Sequence, residues 1–368
     1  FYSILFCSIL FYSILFCSIL FCSILLYSIL FYSLLLCFIL LSLLLVILFV
    51  ASLLLGSVSL QVKEVLGVIL GQEVDPQTRI LVTHFRLPKA ITALVVGAAL
   101  SASGLQMQTL FRNPLAGPYV LGISSGASLG VSLFLLGAPL LGVSVASETL
   151  RNIGVVGSAW IGAALILAVI MAVSVRLKDI MAILILGMMF GSAASAIVQI
   201  LQYLSPDSAL KSFVVWTMGS LSGVSLQQLG LMSGIVVAGL ALSIYLIKPL
   251  NLLLLGENYA RTMGLNIRWI RFLLFASTTL LAGTVTAFCG PIGFIGIAVP
   301  HVARMLTGNA DHRVLMPASM LMGSVTMLLC DIIAQLPGHE MVLPVNTITA
   351  LLGIPIIVLV IVRNRKIF

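Results

Sequence analysis

Apolar runs of about twenty residues recur along the chain, parted by short clusters of proline, glycine and charge. A helix needs roughly that length to cross the hydrocarbon of a bilayer. The two-residue alternation of outer-membrane strands is absent. Cut at the proline, glycine and charge clusters, the sequence predicts ten spans, at about 38–60, 89–110, 118–138, 153–175, 180–203, 229–248, 271–289, 294–307, 314–335 and 347–363. The eighth is short and holds Pro300, so a kinked or partly re-entrant helix is expected there. Between the fifth and sixth spans, SFVVWTMGSLSGVSLQQL predicts an amphipathic helix at the membrane surface. The fold class is all-α: a polytopic bundle of ten transmembrane helices.

Residues 1 to about 37 form a pentapeptide repeat, FYSILFCSIL and its decaying continuation, with no charge. It lacks the basic n-region of a signal peptide. An unbroken helix of some sixty uncharged residues would be about 90 Å long, roughly three bilayer cores. The repeat therefore reads as a translated nucleotide repeat or an imprecise gene start and is given no function. Residues 38–368 make the ten-helix domain, and only the stretch from Phe38 onward is needed for its first helix.

Composition sharpens this picture. Hydrophobic residues make up 61% of the chain and charged residues 8%, against roughly 25% charged in a soluble domain. The net charge of +8 reads as basic cytoplasmic loops rather than as a nucleic-acid surface. Ten spans put both termini on one side. With the termini in the cytoplasm, twelve of the 18 Lys and Arg residues fall inside, as the positive-inside rule prefers. Cys7, Cys17, Cys22 and Cys37 lie in the repeat, and Cys289 and Cys330 stand singly in apolar runs. No Cys/His spacing indicates a metal, and no cofactor is expected.

The segment LGENYARTMGLNIRWIR, Leu255 to Arg271, interrupts this pattern between the sixth and seventh spans. Glu257 and Arg261 stand four apart in the favourable order for a helical ion pair. Leu255, Tyr259 and Met263 line another face. Gly264 can end a first short helix and NIRWIR can begin a second. A compact helix–turn–helix at the membrane surface follows, either anchoring a loop or meeting a partner.

Three stretches share a pattern beyond their physics: RLPKAITALVVGAALSASGLQMQTLFRNPLAGPYVLGISSGASLG (86–130), the segment just quoted, and GPIGFIGIAVPHVARMLTGNADHRVLMPAS (290–319). Together they resemble the FecCD/BtuC-like permease subunits of ATP-driven importers for ferric siderophores, haem and cobalamin. The resemblance covers about residues 40 to 366. It implies the type II ABC importer permease fold in the inner membrane. The partners it implies are a dimer of ABC ATPase subunits, a periplasmic or lipoprotein substrate-binding protein, and a second permease copy, with a homodimer expected. By the resemblance, the coupling segment within 251–271 presents Gly256, Glu257, Ala260, Arg261, Gly264, Asn266 and Arg268 to the ATPase, with Glu257, Arg261 and Arg268 facing it. Arg86 and Lys89 match a basic pair that docks the binding protein, in preference to the alternative of anchoring a helix end at headgroups. Arg112, Asn113 and Pro114 form a tight inner turn that, with His301 and Arg304, supports coupling. The fifth and tenth spans line the pathway, with Met188, Met189, Ser192, Ser195, Thr347 and Thr349 as lining residues. Asp331 and Gln335 either lie near an outer gate or pair locally.

The expected cargo is a metal chelate, ferric siderophore first, then haem and cobalamin. No phosphate-binding GxxxxGK[ST] loop or catalytic triad is present, so ATP hydrolysis is assigned to a partner and the chain is not itself an enzyme. The competing reading, an ion-coupled secondary transporter, calls for buried acids in mid-span, and only Asp331 comes near that.

Overall fold

The computed structural model describes residues 32–56, 60–140, 147–174, 177, 179–335 and 342–363. The repeat over 1–31 lies outside the described residues, as do Arg176, Lys178, Glu340, Arg365 and Lys366. The chain divides into two units, Phe1–Leu44 and Leu45–Phe368. In the first, the described residues from Tyr32 onward are helical. The second holds the rest of the bundle.

Among the described residues, nine helices are long and apolar enough to cross a membrane: Tyr32–Leu54, Pro76–Phe111, Ile123–Leu140, Leu150–Ser174, Ile180–Leu204, Leu226–Tyr245, Ile267–Cys289, His312–Ala334 and Val345–Val362. A tenth, Ile295–Thr307, is shorter. They correspond one to one with the ten spans read from the sequence and are numbered first to tenth in chain order below, so that Ile295–Thr307 is the eighth. No strand occurs among the described residues. Short helices Val62–Ile69, Asp207–Thr217, Ile247–Leu254 and Glu257–Thr262 lie between spans.

Two boundaries differ from expectation. The first span is helical from Tyr32, the first described residue, and ends at Leu54 rather than 60, two residues before Gly56. The second begins at Pro76 rather than 89. The Asp75 carboxylate accepts from the Thr78 backbone N–H at 3.2 Å, and Pro76 occupies the first helical turn, a favoured start. The polar stretch that follows is helical all the same.

The second span is the axis of the bundle. Its most apolar window is 78% buried, against 22% for the fifth span and 28% for the tenth. It packs on the sixth, seventh, eighth and ninth spans. Small residues permit this, as lipid gives no hydrophobic drive between helices and close backbone contact must substitute. A Cβ added at Gly104 would sit 1.8 Å from the Gly296 carbonyl oxygen on the eighth span. Gly104→Ala is expected to push these helices apart and cost at least ~1–3 kcal/mol. Thermal unfolding in detergent reads this directly, and an unchanged Tm would contradict so close a crossing.

The eighth span is a half-length helix. Phe294 before it has φ 66° and Gly290 φ 74°, so GPIGF is an irregular approach rather than helix. Asn346 closes it by accepting from the Gly293 N–H at 2.9 Å. Thirteen residues, Ile295–Thr307, rise only about 20 Å, short of a full crossing, and Pro300 lies inside the helix without ending it. The third and fifth spans pack with the fourth on one flank, and the tenth packs on the eighth and ninth.

Candidate functional site

The polar insert folds as two helices meeting at a turn. Leu255 closes the short helix Ile247–Leu254, and Gly256 then takes φ 114°, a conformation that needs glycine. A Cβ there would also lie 3.1 Å from the Arg112 guanidinium. Helix Glu257–Thr262 follows, then Gly264 at φ 84°. Asn266 caps the seventh span by accepting from the Trp269 N–H at 3.2 Å. Ala260 is fully buried beneath the short helix.

The expected Glu257–Arg261 pair does not form. The Glu257 carboxylate turns instead to Arg271 in the first turns of the seventh span. Arg271 Nη2 lies 2.6 Å from Oε1 and 2.8 Å from Oε2, and Nε reaches Oε1 at 3.2 Å. The Arg271 side chain is 7% exposed. A fork of this kind fixes direction as well as distance, so the six-residue helix is pinned to a membrane span. Glu257 is thus tied to the seventh span, with 24% of its side chain exposed. Arg261, Arg268 and Asn266 stay exposed. Leu255, Tyr259 and Met263 are exposed as well, and Trp269 stacks on Phe272 with ring centroids 5.2 Å apart. The segment therefore offers a mixed basic and apolar surface.

The inner turn buttresses this segment. Arg112 adopts a left-handed backbone (φ 48°) and donates from Nη2 to the Leu254 carbonyl at 3.1 Å. Asn113 Oδ1 accepts from the Leu115 N–H at 2.9 Å, closing the turn. The Pro114 carbonyl accepts from His301 Nε2 at 2.7 Å, so the eighth span grips the turn. Arg304 lies one helical turn further on, half-buried.

The sequence reading missed a second brace. Asn251, on the helix leading into the insert, donates to Asp311 at 2.6 Å and accepts from the His312 N–H at 2.9 Å. His312 Nδ1 also meets Asn251 Oδ1 at 2.8 Å, and Nε2 meets Thr109 on the second span at 2.8 Å. Asn251 Oδ1 can only accept, so Nδ1 carries the proton. Asp311 caps the ninth span through the Arg313 N–H at 2.8 Å, and that hydrogen bond, helped by Asn251, holds its carboxyl below the ordinary 3.8. Its share of stability is full above that ordinary value and fades as pH falls through the lowered one. The legible signal was an acid just before a helix; its partners were not.

Arg86 and Lys89 lie at the opposite end of the second span and are not surface residues. Arg86 is 8% exposed and donates from Nη1 to the Leu53 and Leu54 carbonyls at 2.8 and 2.9 Å. It closes the C-terminus of the first span, where a cation is favoured. Lys89 Nζ lies 3.0 Å from Asp331 Oδ1. Asp331 also accepts from Gln335 at 2.8 Å and from Ser52 at 3.4 Å. Of the two readings left open for Asp331 and Gln335, local pairing is the one observed.

Met188, Ser192 and Ser195 line a cavity of about 600 Å³ between the fifth span and the start of the third, with Ser125 and Gln199. Met189 and Thr347 are exposed on the fifth and tenth spans. Thr349 is fully buried and donates to the Asn346 carbonyl at 3.0 Å, so it is no lining residue. The two spans occupy separate flanks of one chain.

Comparison with known proteins agrees with this geometry. The model of the FecCD transport family matches residues 44–363. The vitamin B12 import system permease protein BtuC of Klebsiella pneumoniae is 38% identical over 297 residues, spanning 80% of this chain and 86% of that one. Its namesake in Shigella boydii is 36% identical, spanning 81% and 89%. A solved metal-chelate type ABC transporter in an inward-facing conformation superposes with a TM-score of 0.75 at 33% identity, covering 88% of this chain and 97% of that one.

Proposed function

Since the chain belongs to the FecCD transport family, multi-pass permease subunits of bacterial ABC importers whose ATP is hydrolysed on a separate subunit, we propose that helix Glu257–Thr262 is the lever by which that ATPase moves the bundle. The observation that carries this reading is the fork from Arg271 to Glu257. It makes the insert a rigid extension of the seventh span, and a rigid body transmits displacement where a slack loop would absorb it. Arg261 and Arg268 are the exposed charges left to meet the partner. The insert and both termini then face the cytosol, and the chain sits in the inner membrane.

The pathway runs between two copies of the chain, which would bring the exposed faces of the fifth and tenth spans together. Methionine, serine and threonine there, without charge, suit a bulky chelate that slides past rather than a bare ion held by fixed ligands. Likeness to the vitamin B12 permeases supports cobalamin beside ferric siderophore as cargo, ahead of haem.

The test is uptake by vesicles holding the permease, its ATPase and its binding protein, with ferric siderophore, haem and cobalamin as separate arms. Arg261→Glu is expected to cut ATPase co-purification and uptake about tenfold or more, since like charges across an interface cost several kcal/mol, while membrane insertion stays normal. Undiminished uptake would refute the lever.

A further inference from the structure

Beside the inner turn lies a cavity of about 850 Å³ whose lining carries Arg112, Arg304 and His301 and no acidic residue. Arg112 spends one N–H on the Leu254 carbonyl, leaving most of its fork free. The Arg304 guanidinium makes no ion pair or side-chain hydrogen bond among the described residues. Gln108, 4% exposed, lines the same cavity. Its Nε2 donates to the Ile297 carbonyl at 3.0 Å, but its buried Oε1 has no partner.

An exposed guanidinium, Arg112, and a half-buried one, Arg304, share this lining with no carboxylate among its residues, and forked donors match phosphate oxygens. The cavity's other wall is apolar: Leu359, Ile361 and Met305 are 53%, 39% and 52% exposed. A cationic floor against an apolar wall, at the end of a membrane bundle, matches an anion that carries acyl chains. We propose that this cavity binds a phosphate group, supplied by the headgroup of an anionic phospholipid, with Arg112 and Arg304 as its ligands and an O–H of the headgroup donating to Gln108 Oε1. Basic pockets between transmembrane helices serve anionic headgroups in this way. Because Arg112 also holds Leu254, the bound lipid would steady the approach to the insert. The site does not depend on which cargo is carried.

The full chain is purified, stripped of lipid, and titrated with phosphatidylglycerol, phosphatidylcholine or inorganic phosphate, read by thermal unfolding and native mass spectrometry. Phosphatidylglycerol is expected to bind about 30-fold tighter than phosphatidylcholine, each arginine contributing about fivefold. Arg112→Gln with Arg304→Gln should erase that preference, and Arg79→Gln, exposed at the other end, should leave it intact. Arg304→Lys, which keeps the charge and loses the fork, should keep about half of the preference on a logarithmic scale or more. This variant serves should the double substitution fail to fold. Stabilisation by inorganic phosphate alone, lost in the double variant and without preference between lipids, would keep the site and assign free phosphate to it. Equal affinity for both lipids with no effect of phosphate, or a preference that survives the double substitution, would overturn the proposal.

Discussion

Glu257→Gln is expected to leave the importer assembled and its ATPase turning over while cargo uptake falls about tenfold or more. The helix Glu257–Thr262 has six residues, too few to hold itself together in water. What orders it is Ala260 beneath and the fork from Arg271 beside it. Removing one member of a buried pair costs ~3–5 kcal/mol, chiefly by stranding the other charge. Glu257 is 24% exposed, so the lower figure applies, and it is enough to free a single helical turn. The freed turn still meets the partner through Arg261, so nucleotide hydrolysis continues. It no longer pushes on the seventh span. Exchange of the two residues, Glu257→Arg with Arg271→Glu, should restore part of the uptake if pairing is what matters. Full uptake by Glu257→Gln at normal expression would mean that the fork is not in the transmission path.

The spans were legible because a bilayer imposes one demand, about twenty apolar residues in a row, which nine of the ten meet and the shorter eighth approaches. Their ends were legible only where a cap or a breaker stood. Asp75 and Pro76 marked the start of the second span, but the polar stretch after them obscured it. The first span carried no mark on its N-terminal side, where the apolar repeat runs on without charge, glycine or proline. The insert was legible as an object since charge in so apolar a chain stands out, and Gly256 and Gly264 bracket it. Its internal wiring was not. Spacing favoured Arg261 as the partner of Glu257, but Arg271, on the next helix, offers a fork in a drier place and wins. Arg86 and Lys89 were read as surface charges for the same reason: single-sequence reasoning sees a cation near a helix end and cannot see Ser52 or Asp331, 279 residues apart, closing over it. Thr349 failed differently, as a hydroxyl that satisfies its own helix backbone and needs no pathway.

Lys89→Ala and Asp331→Ala are each expected to deplete the folded protein, and the double substitution to be milder than either. Asp331 is fully buried and Lys89 nearly so, 3.0 Å apart, at a depth where water does not relieve a stranded charge. Either single substitution should cost ~3–5 kcal/mol, a large part of the 5–15 that keeps a typical fold together. Lys89→Met with Asp331→Leu, which removes both charges and keeps the volume, should restore most of the stability, as apolar replacements of buried pairs do. A docking role makes the opposite forecast. Lys89→Ala would then fold and insert normally and lose affinity for the binding protein, and Asp331→Ala would not share that defect. Detergent unfolding and binding-protein affinity, measured on the same four proteins, separate the two. Wild-type Tm in Lys89→Ala together with weakened docking would return the residue to the surface role that its sequence position first implied. A deep loss of Tm, rescued by the second substitution, would make the first, second and ninth spans one interlocked unit whose charges hold the bundle rather than greet a partner.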